Sequence, residues 1–331
     1  MQHVRLGKTG LKVSRLCLGT MTFGLQCDEP TSIAIMDRAA EAGVTFMDTA
    51  DVYPLGGERG TGGGTEEIMG RWLKGRRDDF IIATKCHFPM GPLPFQAGNS
   101  RRHIMNAVEA SLRRLQTDYI DLYQLHSHDP ETPIDETLRA LDDLIRSGKV
   151  RYVGCSNHLA YQVARAVGRS EALGLASYVS VQPRYNLLFR EMERELIPLC
   201  LQEGIGVIPY NPIAGGMLSG KHDRSQSPGD GTRFGFSGFA GVMYRERYWK
   251  DQVFDTVDAL AGVAAEAGLP LPTLALAWVL AQPGITSPIV GASRPEQLDA
   301  TLAAVEVTLD EGLLTRLDEM TREFRRGDSG R

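Results

Sequence analysis

The feature that most constrains this chain is a rhythm. Short runs of β-branched and aromatic residues alternate with longer amphipathic stretches, and the alternation recurs eight times. The apolar runs fall at 15–18, 44–47, 80–84, 119–125, 150–155, 178–182, 205–210 and 286–290. They are nearly continuous in apolar character, the pattern of strands covered by helices in a parallel sheet. Between them, 32–42, 66–73, 101–115, 135–147, 159–172 and 191–203 repeat their apolar positions with helical period, and two further helices fit near 250–267 and 273–282. Eight strand–helix units predict an α/β fold of the (β/α)8 TIM-barrel class. An open doubly wound sheet is the alternative, but LCLGTMTFG after the first strand spaces its glycines wrongly for the dinucleotide fingerprint. Residues 3–6 and 11–13 flank GKTG and predict an N-terminal β-hairpin ahead of the first barrel strand.

Length and composition agree with one barrel. The 331 residues would allow two domains of about 150, yet no composition shift marks a boundary, so a single domain over 1–331 is expected. With 42% hydrophobic residues and a net charge of −5, neither disorder nor a duplex-binding surface is expected. No run approaches the roughly 20 apolar residues of a membrane span, and the first residues lack the apolar core of a signal peptide. Five scattered cysteines without CxxC spacing point to free thiols in the cytoplasm, three of them small core side chains. The longest irregular segment, 222–248, reads as an enlarged loop at the C-terminal face of the barrel.

In such a barrel the chemistry sits where the strands end. Here seven successive apolar runs end in polar groups: Asp48 and Tyr53, Lys85, His126, Ser156 and Asn157, Gln182, Tyr210, and Gly291 with Ser293 and Arg294. Singly, each has an ordinary structural explanation, such as a cap or a satisfied histidine. Aimed at one mouth, they argue for a site. Four histidines, at 87, 126, 128 and 158, offer no helical ligand spacing, so no metal is expected. The glycine-rich 56–67 lacks the GK[ST] of a phosphate loop and is expected to be mobile, with Thr65 capping the helix that follows. The basic end at 321–331 is expected to be a solvated tail.

The strings MDTADVY, ATK, YQLH, GCSNH, VQPRYNLL, PYNPIAGGMLSGK and IVGASRPEQL together resemble the aldo-keto reductases, in order, from about residue 3 to about 305. The resemblance is nearest to the longer bacterial-type branch that includes potassium-channel β-subunits. It implies reduction of aldehydes or ketones with NADP(H). It also implies a catalytic tetrad of Asp48, Tyr53, Lys85 and His126, with Tyr53 donating the proton. Chemically, Lys85 is expected to lower the phenol pKa and Asp48 to hold Lys85. The resemblance places the nicotinamide against Ser156, Asn157, Gln182 and Tyr210, with Gly19, Thr20 and Met21 nearby. It assigns the pyrophosphate to 212–221, with Leu218, Gly220 and Lys221 in contact. The adenosine end falls to Gly291, Ser293, Arg294, Gln297 and Thr301, the planar guanidinium of Arg294 suiting a 2′-phosphate. The family often has Glu-Asn where this chain has Ala300-Thr301. Two alternatives remain: a sugar-nucleotide keto- or enoyl-reductase, and a cofactor-bound binding subunit. The channel subunits typically lack the histidine at position 126, so its presence favours catalysis. The expected partner is a small carbonyl substrate; Phe88, Phe95, Phe234, Phe236, Phe239 and Tyr244 are candidate pocket walls, and the oligomeric state stays open.

Overall fold

In the computed structural model, which describes residues 1–55, 62–229 and 231–326, strands β1 (His3–Arg5) and β2 (Lys12–Ser14) form the antiparallel hairpin. Eight parallel strands follow: β3 (Cys17–Gly19), β4 (Phe46–Asp48), β5 (Ile81–Cys86), β6 (Ile120–Leu125), β7 (Val150–Ser156), β8 (Ser180–Gln182), β9 (Gly206–Val207) and β10 (Ile289–Val290). Each of β4 to β9 pairs with the strand before it, and β10 pairs with β3. The ring is completed where Thr286 N–H donates to the Val207 carbonyl and Ile289 N–H to the Pro209 carbonyl, each at 2.8 Å. This is the (β/α)8 barrel.

The last two strands are shorter than the apolar runs that predicted them. Pro209 and Pro288 have no N–H to offer a ladder, so pairing stops or starts beside them. The helix expected over 191–203 is broken too. Glu191–Glu193 is a 3-10 turn, and the α-helix runs only over Leu196–Glu203. Pro198 sits in its first turn, the one place where a missing N–H costs nothing.

The outer helices earn their places by burying one stripe. In Ile134–Arg146, the positions Thr137, Leu138, Ala140, Leu141 and Leu144 face inward. Asp28 caps the helix Glu29–Glu41 by accepting from Thr31 N–H at 2.9 Å. The expected cap at Thr65 is corrected. The helix Gly64–Trp72 starts from Gly63 in a left-handed conformation, and the Thr65 hydroxyl donates instead to the Phe23 carbonyl at 2.8 Å. Residues 56–61 of the glycine-rich stretch lie outside the described residues.

Segment 222–248 is not one loop. It contains a 3-10 turn at Arg233–Gly235 and a helix, here called the rim helix, at Gly238–Tyr248. Buried aromatics anchor it: Phe234 meets Trp249, Tyr244 and His222 at ring distances of 5.3, 6.2 and 4.8 Å. The basic end is likewise partly packed over 321–326, where Phe324 is buried and Arg325 pairs with Glu193; residues 327–331 lie outside the described residues. All five cysteines are free and buried.

The barrel interior divides into two levels. At the bottom, Leu6 and Val13 of the hairpin pack with Cys17, Phe46, Ala83, Leu122 and Ile208, closing the amino-terminal end. Above them, the same inward-facing rows continue as Asp48, Lys85, Gln124 and Gln182. The apolar floor leaves these four no water, so they must satisfy one another.

Candidate active site

The polar level is a closed set of charge-assisted hydrogen bonds. Lys85 Nζ donates to Asp48 Oδ1 at 2.5 Å and to the Thr49 carbonyl at 2.7 Å. The other oxygen, Asp48 Oδ2, accepts from Gln124 Nε2 at 3.0 Å and from Gln182 Nε2 at 2.9 Å. Gln182 Nε2 also donates to Gln124 Oε1 at 3.2 Å. The Lys85 side chain is wholly inaccessible to solvent. Burial works against its charge, but Asp48 and the Tyr53 oxygen more than compensate and hold its pKa above the usual lysine value.

Tyr53 and His126 sit over this base. Lys85 Nζ lies 5.0 Å from the centre of the Tyr53 ring, and the Tyr53 and His126 rings meet edge to face at 5.7 Å. The expected lowering of the phenol pKa is corrected. Burial pushes Tyr53 up to about 12, and the opposing pull of Lys85 only limits the rise. Desolvation outweighs one cation here because that cation is already shared with Asp48. Burial, then the charge of Lys85, drives His126 well below the usual histidine pKa, so the imidazole is neutral. Near neutrality both groups are therefore uncharged, the phenol retaining its proton and the imidazole lacking the second one. Of the aromatic residues expected at the pocket, Phe88 reaches the site, 4.8 Å from the His126 ring. Phe234 is core, whereas Phe239 and Phe95 are exposed on the surface.

Ser156, Asn157, Gln182 and Tyr210 form one network beside these groups. The Ser156 hydroxyl donates to the Gln182 carbonyl at 2.7 Å, and Asn157 Nδ2 donates to the His126 carbonyl at 2.8 Å. The Tyr210 hydroxyl donates to Asn157 Oδ1 at 2.9 Å. Gln182 spends both side-chain amide hydrogens on Asp48 and Gln124 and its backbone carbonyl on Ser156, so its side-chain Oε1 accepts from no group among the described residues. Gly19 ends β3, the Thr20 hydroxyl donates to the Asp48 carbonyl at 3.0 Å, and Met21 is half-buried beside them.

The remaining expected residues spread along the mouth. Gly215, Gly216 and Gly220 take φ of 68°, 104° and 70°, values that L side chains rarely adopt, so this turn presents bare backbone. The Leu218 side chain is in the core, whereas Lys221 is exposed. Gln297 Oε1 accepts from the Ser293 amide and hydroxyl at 2.8 and 3.2 Å. Arg294 is exposed, with no carboxylate in ion-pair range among the described residues. Thr301 is buried, and its hydroxyl is spent on the Leu298 carbonyl. A Cβ on Gly291 would stand 3.3 Å from Arg233 Nη2.

Two contributors were not singled out from the sequence. Gln124 lies inside an apolar run, and only the inward alternation DLYQL, with Gln two before His126, signals it. Arg233 donates to Asn211 Oδ1 at 2.9 Å from a segment with no periodicity, so nothing local marks it. Among the described residues no group of three or more His, Cys, Asp or Glu is placed to hold a metal. No single described helix is long and apolar enough to cross a membrane.

The chain is 39% identical over 328 residues to the uncharacterized oxidoreductase YrpG of Bacillus subtilis, covering 97% of this chain and 96% of that protein. It is 39% identical over 312 residues to a probable voltage-gated potassium channel subunit beta of Arabidopsis thaliana, covering 93% and 92% of the two chains. It is 35% identical over 345 residues to the versiconal hemiacetal acetate reductase of Aspergillus parasiticus, covering 96% of each. Residues 15–322 match the profile of the Aldo/keto reductase family. With this barrel and this strand-end chemistry, the chain belongs to the aldo/keto reductase family and is an oxidoreductase by descent.

Proposed function

We propose that the protein reduces small aldehydes or ketones to alcohols with NADPH, with Tyr53 as the proton donor. The observation that carries this reading is the buried Asp48–Lys85 pair beneath Tyr53, flanked by neutral His126. A proton donor must hold its proton until the oxygen of the substrate becomes basic. Tyr53 does so, and Lys85 then stabilises the phenolate left behind. Neutral His126 is suited to orient the carbonyl oxygen by a hydrogen bond, and the Phe88 ring meets it edge to face.

The residues present fit the cofactor. When bound, NADPH supplies the hydride, which no side chain can deliver. The side-chain oxygen of Gln182 suits the nicotinamide amide, and Tyr210 offers a ring to stack on. The bare backbone of Gly215–Gly216 and Gly220 suits a pyrophosphate, and the unpaired Arg294 suits a 2′-phosphate. The full set of Asp48, Tyr53, Lys85 and His126 favours turnover over a role solely as a channel subunit, the role in the name of the Arabidopsis relative. We place the protein in the cytoplasm, in keeping with its free thiols.

The test is NADPH oxidation against a panel of aldehydes, ketones and keto-sugars, in wild type and Tyr53→Phe. Expected is turnover that falls about 10²-fold or more in Tyr53→Phe while the dissociation constant for NADPH stays within a few-fold. Wild-type rates in Tyr53→Phe would remove the proton-donor role. Tighter binding of NADH than of NADPH in a fluorescence titration would overturn the cofactor preference.

A further inference from the structure

Two arginines at the mouth have no role in the chemistry above. Arg184 follows β8 by two residues and forms an isolated parallel bridge with Tyr210. Its guanidinium lies 3.4 Å over the Phe189 ring and 5.9 Å from the Tyr248 ring. Arg247 stands in the last turn of the rim helix, next to Tyr248, and its guanidinium faces the Tyr210 hydroxyl. Neither has a carboxylate in ion-pair range among the described residues. Glu191, the acid whose charge acts on Arg184, is turned to Arg326 at 3.3 Å.

Two like charges held together without a counterion cost free energy, most of all when one is half-buried among aromatic rings. Burial, and then the charge of Arg247 against it, holds Arg184 below the usual arginine pKa. The place is not remote from the chemistry. The Tyr210 hydroxyl that Arg247 faces is bonded to Asn157, and Asn157 is bonded to the backbone of His126. A ligand with its carbonyl at Tyr53 and His126 and an anionic group extending past Asn157 and Tyr210 would bring that group to these guanidiniums. Their planar forks bind carboxylate and phosphate oxygens two at a time.

We propose that Arg184 and Arg247 form an anion-binding rim of the substrate pocket, selecting carbonyl compounds that carry a carboxylate or a phosphate. This rests on the carbonyl-reduction reading above, so one arm of the test needs no turnover. In the first arm, rates at saturating NADPH compare 4-carboxybenzaldehyde with 4-nitrobenzaldehyde, and glyceraldehyde 3-phosphate with glyceraldehyde. The proteins are wild type, Arg184→Met, Arg247→Met and Arg184→Lys. The Met variants are expected to raise KM for the charged member of one pair at least about tenfold more than for its neutral member, with Arg184→Lys in between. The pair that responds separates carboxylate from phosphate. Equal losses on charged and neutral members overturn the proposal. So does a matching rise in the dissociation constant for NADPH, which assigns the arginines to the cofactor.

In the second arm, benzoate and inorganic phosphate are titrated calorimetrically into the protein, with and without NADP+. Binding of either anion that weakens at least about tenfold in Arg247→Met supports the rim even if no aldehyde is reduced. In that case only the carbonyl-reduction reading fails. Wild-type protein that binds neither anion, in a sample that does reduce 4-nitrobenzaldehyde, overturns the rim alone.

Discussion

Asp48→Asn is the sharpest test of the polar level. Every group that faces this carboxylate is a donor: Lys85 Nζ at 2.5 Å, Gln182 Nε2 at 2.9 Å and Gln124 Nε2 at 3.0 Å. An asparagine must turn its own NH2 toward either the ammonium or the two amides, so neither orientation satisfies the site. It also strips the counter-charge from a lysine that has no access to solvent. Breaking one partner out of a buried pair costs about 3–5 kcal/mol, and that is the loss expected at pH 7. The loss depends on pH. In wild type the Lys85 pKa is raised, so the contribution of the pair is complete below the unfolded lysine value of about 10.4 and fades as pH rises through the folded value. In Asp48→Asn burial acts without Asp48 to oppose it, and the folded pKa drops below the unfolded one. The variant therefore gains stability as pH rises toward about 10.4, and the gap to wild type narrows by about 1.4 kcal/mol per unit at most. The assay is urea unfolding followed by tryptophan fluorescence at pH 7 and 9.5. Asp48→Asn/Lys85→Met should be more stable than the sum of its two singles implies, because the stranded charge is gone. A loss below about 1 kcal/mol at pH 7, a gap that does not narrow, or strict additivity in the double variant would refute the reasoning.

Other outcomes follow from the same geometry. Gln124→Leu removes a hydrogen bond to a charged oxygen and an acceptor for Gln182, and should cost about 2 kcal/mol in urea unfolding while weakening NADPH binding; unchanged stability and affinity would count against the role of Gln124. Burial lowers the His158 pKa from 6.5 to about 4 against the pull of its bond to the Ser156 carbonyl. The unfolded chain therefore takes up that proton first, and about 3 kcal/mol of stability is lost as pH falls from about 6.5 to about 4. His158→Asn should flatten that part of the stability–pH curve, and an unchanged slope would assign it elsewhere. Gly154→Ala would set a Cβ 2.4 Å from Ser180 Oγ and 2.9 Å from the Ser180 carbonyl, and should cost about 1–3 kcal/mol in the same assay; a neutral result would mean that β7 and β8 can spread.

The elements most legible in the sequence are those whose cause is local. The near-continuous apolar run at 119–125 became β6, and the periodic 101–115 became the helix Arg101–Leu115, because burial pattern and backbone period act within one turn or one strand. Legibility failed where a distant partner decided the outcome. Thr65 has the type and position of a cap, but the Phe23 carbonyl claimed its hydroxyl. The rim helix arose in a stretch read as loop because Phe234, Tyr244 and Tyr248 found an aromatic pocket, which composition does not disclose.

By itself the sequence determined the barrel and which residues stand at its strand ends, since both follow from alternation along the chain. It determined the chemical types that meet there: a carboxylate, a lysine, a phenol and an imidazole. Only the tertiary structure decided their states. Tyr53 rises to about 12 because burial exceeds the pull of a lysine already committed to Asp48. The partnership of Gln124 with Asp48, and of Arg184 with Arg247, was equally out of reach. These pairs join residues 76 and 63 positions apart, and desolvation and Coulomb forces depend on distance in space, which no pattern along a chain records.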